Sequence, residues 1–133
     1  MTTHPDAALH AERVRTYLAR LQACDAEGLA AMFTDEAEVL SPFLGAMHPR
    51  PFFAKLREAS GDSRIETIDI LASTSGAPRA IGYFAYHWGL KDGTQVRFDC
   101  CDVFDFAPDG RFTRMTIVYD THPVRNRVGD KYA

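Results

Sequence analysis

Apolar residues in the first part of the chain recur every three or four positions, which is the spacing of an amphipathic helix. A first helix is predicted over residues 6–24, with an apolar stripe formed by Val14, Tyr17, Leu18 and Leu21. Asp25 is a suitable N-cap for a short second helix, AEGLAAMF. Pro51 is placed favourably at the first position of a third helix, PFFAKLREAS.

Between the second and third helices, the segment AEVLSP is predicted to be a short strand that ends at Pro42, and LGAMHPR to be a loop. From residue 64 onward the pattern changes to a period of two, which indicates β-strands. Four strands are predicted, in RIETIDILAS, RAIGYFAYHWGL, TQVRFDCCDVFDF and RFTRMTIVYD. The first of them is predicted to alternate Ile68 and Ile70 with Thr67 and Asp69. The connecting segments SGAP, KDG and PDG are typical of turns.

The predicted element order is ααβαββββ, which indicates an α+β domain in which a curled antiparallel sheet packs its concave face against the helices. Gly82, inside a strand, is the expected position of a strong bend. A curled sheet closed by helices forms a cone that suits a small ligand. We predict a single domain over residues 7–122, with tails at residues 1–6 and 123–133.

One carboxylate interrupts the apolar face of a predicted strand. Asp102 shares that face with Phe98, Cys100, Phe104 and Phe106. Because burying a charged carboxylate is costly, such an acid is either paired, hydrogen-bonded and partly hydrated, or protonated through a raised pKa. Each outcome suits a ligand pocket, although a structural ion pair with an arginine explains the pattern equally well.

Composition narrows the class of protein. The 133 residues are 46% hydrophobic and 25% charged, with a net charge of −3. Lys and Arg are scattered, so a nucleic-acid partner is not expected. No apolar run reaches the roughly 20 residues that span a membrane, and the start resembles no secretion signal, so a cytoplasmic location is predicted. The three cysteines fit no disulfide framework and the five histidines no common metal-binding spacing, so neither a metal nor a cofactor is expected.

The segments FTDEAEVLSP and CDVFDFAPDGRFTRMTIVYD resemble the NTF2-like superfamily, which includes ketosteroid isomerases, limonene epoxide hydrolases and SnoaL-type polyketide cyclases. The resemblance implies a cone-shaped α+β roll and a homodimer. The convex sheet face left over for the dimer is predicted to carry Val103, Phe112 and Val118.

Compared with ketosteroid isomerases, the resemblance places the two oxyanion donors on Tyr17 and Asp102. Met115 and Tyr119 match residues that line the isomerase pocket. The position of the general base holds Ser41. A serine hydroxyl cannot accept and pass on a proton at neutral pH without a partner base. The Arg-x-Asp set of the epoxide hydrolases is missing, and Ile117 stands where hydrolases and cyclases have an acid.

The predicted function is an isomerase, lyase or cyclase that acts on a hydrophobic carbonyl compound without a cofactor, with Tyr17 and Asp102 as donors and the base unidentified. The alternative is a non-catalytic module for ligand binding or dimerisation. Tyr17 is equally interpretable as a core residue, Ser41 as a residue that bonds to its own backbone, and His48 as a substitute base or a solvated loop residue. The predicted binding residues are Ser41, Phe43, His48, Phe53, Tyr86, Trp88, Cys100, Met115, Ile117 and Tyr119.

Overall fold

A computed structural model of the protein describes residues 2–123. The helices are α1 (Ala7–Gln22), α2 (Ala26–Ala30) and α3 (Pro49–Ala59). The strands are β1 (Phe33–Ser41), β2 (Gly45–Met47), β3 (Arg64–Ala72), β4 (Arg79–Gly89), β5 (Gln95–Phe106) and β6 (Phe112–Tyr119). They form one sheet in the order β2-β1-β6-β5-β4-β3, in which β1 runs parallel to β6 and all other neighbours are antiparallel.

The α+β class and the three helices are confirmed, with shifted boundaries. Asp25 caps α2 as predicted, because its side chain accepts a hydrogen bond from the Gly28 amide. However, α2 ends at Ala30, and β1 begins at Phe33 because that residue pairs with β6. Helix α3 begins two residues earlier than predicted, with His48 as its N-cap.

The predicted loop after β1 contains a further strand, β2, so the element order is ααββαββββ. Three residues are too few to show a periodic pattern, and β2 forms because it pairs with the free edge of β1. Gly45, the first residue of β2, follows the turn between the two strands and has a φ of +70°, a conformation that favours glycine.

Gly82, the predicted position of a strong bend, has a packing role in the structure. The register of β4 with both neighbouring strands is continuous through Gly82. A Cβ atom at this position would lie 2.9 Å from Cγ1 of Val14 on α1. The missing side chain therefore allows α1 to approach the sheet closely.

The irregularities of the sheet lie in its other strands. A register shift between Thr67 and Asp69 leaves Ile68 without a partner on β4 and exposed to solvent, so the predicted alternation of β3 is wrong at this residue. A second shift, between Asp105 and Phe106, changes the face to which the start of β6 belongs. Such bulges insert one residue and reverse the alternation that follows.

The second shift corrects the prediction for Phe112. This residue pairs with Phe106, is completely buried and packs at 4.5 Å between ring centroids against Phe104. It belongs to the core and not to the convex face. Val103 and Val118 do lie on the face opposite the buried residues of their strands, and Val118 is 53% exposed.

The convex face of the sheet carries an apolar patch between charged rows. We define the convex patch as Leu71, Ile81, Val103 and Val118. The first three pair in register across β3, β4 and β5, and Val118 lies two residues from Thr116, the partner of Val103 on β6. Beside it, Arg79 pairs with Asp105 at 2.7 Å and Arg114 with Glu38 at 3.0 Å.

Within residues 2–123, no helix is long and apolar enough to cross a membrane.

We expect the convex patch to form a homodimer interface, because contiguous exposed apolar residues mark association sites. Sedimentation velocity at micromolar concentration should give a dimer, and Val118→Glu should shift it to monomer. Leu44→Glu is the matched control, because Leu44 is another exposed apolar residue, located between β1 and β2. A parent protein that sediments as a strict monomer would contradict this interface.

Candidate functional site

Asp102 lies in the middle of β5, opposite Gly82 on β4 and Ile117 on β6. Its side chain points to the inner face of the sheet and only 2% of the residue is exposed. None of the ion pairs found among residues 2–123 includes Asp102. The described residues therefore do not form the ion pair between Asp102 and an arginine that the sequence also allowed.

Two neutral donors surround the carboxyl group of Asp102. The thiol of Cys100, two residues earlier on the same face of β5, donates a hydrogen bond to Oδ1 at 3.1 Å. The hydroxyl group of Tyr17, from α1, also hydrogen-bonds to this carboxyl group. Aromatic rings of Phe53, Phe104 and Phe112 meet the Tyr17 ring nearly edge-on and fix its position.

The environment raises the pKa of Asp102 to about 7, because burial disfavours the anion more than the hydrogen bonds from Cys100 and Tyr17 favour it. Burial and the neighbouring Asp102 also raise the pKa of Tyr17 and of Cys100 well above their ordinary values. Both groups therefore keep their protons at neutral pH. A carboxyl group with a pKa near 7 suits either hydrogen-bond donation or proton transfer at that pH.

An inner cavity of about 90 Å³ opens beside this carboxyl group. It is lined by aromatic and aliphatic side chains from α1, α3 and the sheet, with Asp102 as the one carboxylate among the lining residues. The lining residues are Tyr17, Leu21, Ser41, Phe52, Leu56, Phe84, Tyr86, Trp88, Phe98, Cys100, Asp102, Ile117 and Tyr119. Because an apolar cavity of about 150 Å³ holds a benzene molecule, the inner cavity has room for only part of a ring-sized ligand.

An outer groove of about 400 Å³ continues from the inner cavity toward the surface. The two spaces share the lining residues Ser41, Phe52, Leu56, Trp88 and Tyr119. The outer groove adds Phe43, Leu44, Lys55, Glu58 and Ala59. A ligand can therefore place a polar head next to Asp102 and its larger apolar body in the groove.

The structure brings most of the predicted site residues together. Tyr17 and Asp102 both line the inner cavity, together with Ser41, Tyr86, Trp88, Cys100, Ile117 and Tyr119. Phe43 lines the outer groove. The hydroxyl oxygen of Ser41 accepts hydrogen bonds from the Phe43 and Leu44 amides at 3.3 and 3.2 Å, so this residue also shapes the turn before β2.

Three predicted binding residues line neither space. Phe53 and Met115 are buried in the core, where Phe53 packs against Tyr17. His48 caps α3 by accepting from the Arg50 amide through Nδ1, and its Nε2 lies 2.9 Å from the carbonyl oxygen of Asp35. These contacts hold α3 against β1 and leave His48 outside the cavity lining.

Several lining residues were not predicted as site residues. Phe52 and Leu56 come from one face of α3, and their spacing of four residues was a usable signal. Phe84 and Phe98 lie two positions from predicted site residues, on the same inner faces of β4 and β5. Trp88 is held in place by Ser60, whose Oγ accepts from Nε1 at 2.8 Å and donates to the Leu56 carbonyl at 2.6 Å.

The inner cavity lacks the donor set of an ordinary metal site. Among the residues that the structure describes, its lining offers one carboxylate and one thiol, Asp102 and Cys100, and no histidine. Zinc sites generally need at least three protein ligands. The polar groups beside the cavity are instead a hydroxyl, a thiol and a carboxyl group, which hydrogen-bond to one another.

A family model described as "SnoaL-like domain" matches residues 14–115. The chain belongs to the SnoaL-like domain family. This membership agrees with the cone-shaped α+β fold and places the protein in the NTF2-like superfamily. No curated protein matches the sequence.

Two solved structures have the same fold at low identity. The epoxide hydrolase/cyclase-like enzyme SalBIII, described for pyran ring formation in the polyether salinomycin, is 21% identical, with a TM-score of 0.72 and coverage of 86% of this chain and 92% of that one. Bal32a, from a soil-derived mobile gene cassette, is 22% identical, with a TM-score of 0.75 and coverage of 92% and 98%. Such likeness establishes the fold, and one fold hosts many activities.

The raised pKa of Asp102 predicts that the stability of the SnoaL-like protein falls as the pH rises from about 4 to about 7. In this window the unfolded chain loses the Asp102 proton while the folded protein keeps it, so the free energy of unfolding decreases with pH. Asp102→Asn removes this titration. Relative to the parent, the variant should gain up to about 4 kcal/mol of stability across the window.

Urea unfolding of both proteins at several pH values measures this difference. The contribution of Asp102 should be absent below about pH 4, where both states are protonated, and complete above about pH 7. A stability difference that stays constant over this range would show that Asp102 titrates normally in the folded protein.

Proposed function

We propose that the protein is a small-molecule enzyme of the ketosteroid isomerase and polyketide cyclase type, which acts on a hydrophobic carbonyl compound without a cofactor. The observation that supports this proposal is the pair of groups, Tyr17 and Asp102, at the end of an aromatic cavity that raises the pKa of Asp102 to about 7. Family membership and the likeness to a cyclase-like enzyme support the class of reaction.

In the proposed reaction, the substrate carbonyl oxygen enters the inner cavity and accepts hydrogen bonds from the Tyr17 hydroxyl and the protonated Asp102 carboxyl. Removal of an α-proton by a base leaves the electron pair on the enolate, whose oxygen carries the new charge. Both groups lie at the end of an apolar cavity before this charge forms, and the Tyr17 hydroxyl, which hydrogen-bonds to Asp102 in the free protein, turns to the enolate oxygen, so together they stabilise the enolate. The proton then returns to another carbon, or the enolate attacks a second carbonyl.

The surroundings of Tyr17 and Asp102 favour the protonated form of both groups, which is the form that donates a hydrogen bond. Asp102 alone, as an anion, would repel an enolate. Its pKa of about 7 keeps a large fraction of the group protonated near neutral pH, while the higher pKa of Tyr17 keeps the hydroxyl protonated throughout. The apolar lining of the cavity is what maintains both conditions.

The alternative function is a non-catalytic module for ligand binding or dimerisation. Ser41 favours it, because the general-base position carries a hydroxyl group that accepts two backbone hydrogen bonds. Within the described residues, no second carboxylate lines the inner cavity, and Glu58 lies in the outer groove. We place either form of the protein in the cytoplasm, as a homodimer.

The donor pair is tested with acidic phenols that are ionised over the whole pH range used. Because a neutral Asp102 donates to a phenolate and an ionised Asp102 repels it, affinity should fall about tenfold for each pH unit above about 7. Tyr17→Phe and Asp102→Leu should each weaken binding by roughly 1 to 3 kcal/mol. Asp102→Asn keeps a donor, so it should bind well and lose the pH dependence.

Calorimetric titration of the phenol series measures these affinities, and neutral compounds of the same shape are the ligand control. Lys55→Met is the protein control, because Lys55 lines only the outer groove and its charge could also attract phenolates. Phenolate binding that depends on Lys55 and not on Tyr17 or Asp102 would contradict the donor pair.

Catalysis is tested by restoring the missing base. Ser41→Asp places a carboxylate where Ser41 lines both the inner cavity and the outer groove, and it should produce measurable isomerisation of a β,γ-unsaturated ketone, followed by ultraviolet absorbance. Leu44→Asp is the matched control, because it adds a carboxylate to the outer groove alone. The gained activity should disappear when Asp102→Leu is added.

A folded Ser41→Asp variant that binds the ketone without turnover would favour the ligand-binding alternative. Turnover of a carbonyl substrate by the parent protein would show that another group already acts as the base.

A further inference from the structure

The segment before α1 is attached to the sheet and contains a group of polar side chains outside the cavity. The Thr2 amide donates to the Thr74 carbonyl at 3.0 Å, which holds the start of the described chain beside the β3–β4 connection. Asp6 occupies the N-cap position of α1, yet its carboxylate makes no capping hydrogen bond. An aspartate at this position usually caps the helix, so its carboxylate remains available for another partner.

His10, in the first turns of α1, is the buried member of this group. Only 3% of the residue is exposed, and its ring stacks on Phe106 at a centroid distance of 4.0 Å and an angle of 17°. The centroid of the His4 ring lies 5.0 Å from the centroid of the His10 ring. No hydrogen bond to the His10 ring is found within residues 2–123. Burial and the neighbouring His4 lower the pKa of His10, so the ring is neutral at neutral pH.

The potential ligand atoms of His4, Asp6 and His10 all lie within 4.8 Å of one another. Atoms that share a tetrahedral ion at bond lengths of roughly 2.0 to 2.2 Å are about 3.5 Å apart, so small side-chain rotations close the remaining gap. His4 and Asp6 are accessible from solvent, which gives an ion a path to the buried His10.

We propose that His4, Asp6 and His10 form a binding site for a divalent transition-metal ion, with zinc as the preferred occupant. Two imidazoles and one carboxylate suit zinc and leave a coordination position for water. The sequence spacing matches no common motif because one ligand precedes the helix, one occupies the N-cap position without capping it and one lies within the helix. Only the folded N-terminus brings the three together.

Coordination has a cost that limits the expected affinity. Nδ1 of His4 accepts a hydrogen bond from the Asp6 amide at 3.0 Å. Binding through this nitrogen replaces that bond, and binding through Nε2 requires the ring proton to move to Nδ1, which also breaks it. We therefore expect micromolar rather than nanomolar binding of zinc.

The site is separate from the inner cavity. Phe106, on which His10 stacks, follows Asp102 by four residues on β5, which corresponds to roughly 13 Å along a strand. A bound ion would not reach the groups beside Asp102. Its effect would be to fix the segment before α1 against the end of β5 and so to stabilise the folded protein in proportion to its saturation.

Calorimetric titration of the full chain without a histidine tag measures zinc binding, and the visible absorption of cobalt(II) reports the ligand set. We expect one ion per chain. His4→Asn and Asp6→Asn should each weaken zinc binding at least about tenfold, since each removes one of three ligands. His122→Asn, which removes an exposed histidine elsewhere, is the matched control and should leave affinity unchanged.

His4 and Asp6 are not buried, so their variants should fold even if His10→Gln does not. Zinc should raise the thermal midpoint of the parent and of His122→Asn, and not that of the two variants. Absence of saturable zinc binding, or equal binding by the parent and both variants, would overturn the proposal. Phenol binding by Asp6→Asn should equal that of the parent, which keeps this test independent of the donor pair.

Discussion

The burial of the Asp102 carboxyl group is the constraint on which the site depends. A charged carboxylate among aromatic side chains is strongly disfavoured, and within the described residues no cation offsets it. The carboxyl group is instead surrounded by two neutral donors, Tyr17 and Cys100, that compensate only part of the desolvation. The group therefore remains close to the balance between its two protonation states. Such a conflict between a buried acidic group and its apolar surroundings is typical of functional sites.

The close contact between α1 and β4 is what brings Tyr17 to Asp102. Gly82 pairs in register with Asp102 and lacks the side chain that would collide with Val14. Val14 and Tyr17 lie one turn apart on the same stripe, so the approach permitted at Gly82 places the Tyr17 hydroxyl at the carboxyl group. A glycine without a side chain thus determines the geometry of the polar pair. The space that it leaves is what allows this approach.

The sequence predicted the features that depend on regular periodicity. Alternation along β5 placed Asp102 on the apolar face, and the stripe of α1 placed Tyr17 inward. It did not predict the bulges at Ile68 and at the start of β6, because a single inserted residue leaves little trace in a short strand but reverses the face of everything after it. Ile68 and Phe112 were misplaced for this reason. The contribution of α3 to the cavity, through Phe52 and Leu56, depends on where the helix packs over the sheet, and tertiary contacts that local patterns do not encode decide that position.

The candidate site around Asp102 and the proposed zinc site share the same pair of elements. His10, Val14 and Tyr17 lie on one stripe of α1, at spacings of four and three residues. Phe106, Phe104 and Asp102 lie on one face of β5, and the stripe packs along this face so that His10 meets Phe106 and Tyr17 meets Asp102. Helix α1 can therefore neither slide nor rotate at one end without changing the contact at the other, because packed interfaces resist continuous deformation. The hydrogen bond between Tyr17 and Asp102 is therefore positioned by the whole length of the contact between α1 and β5, and not only by the atoms around Asp102.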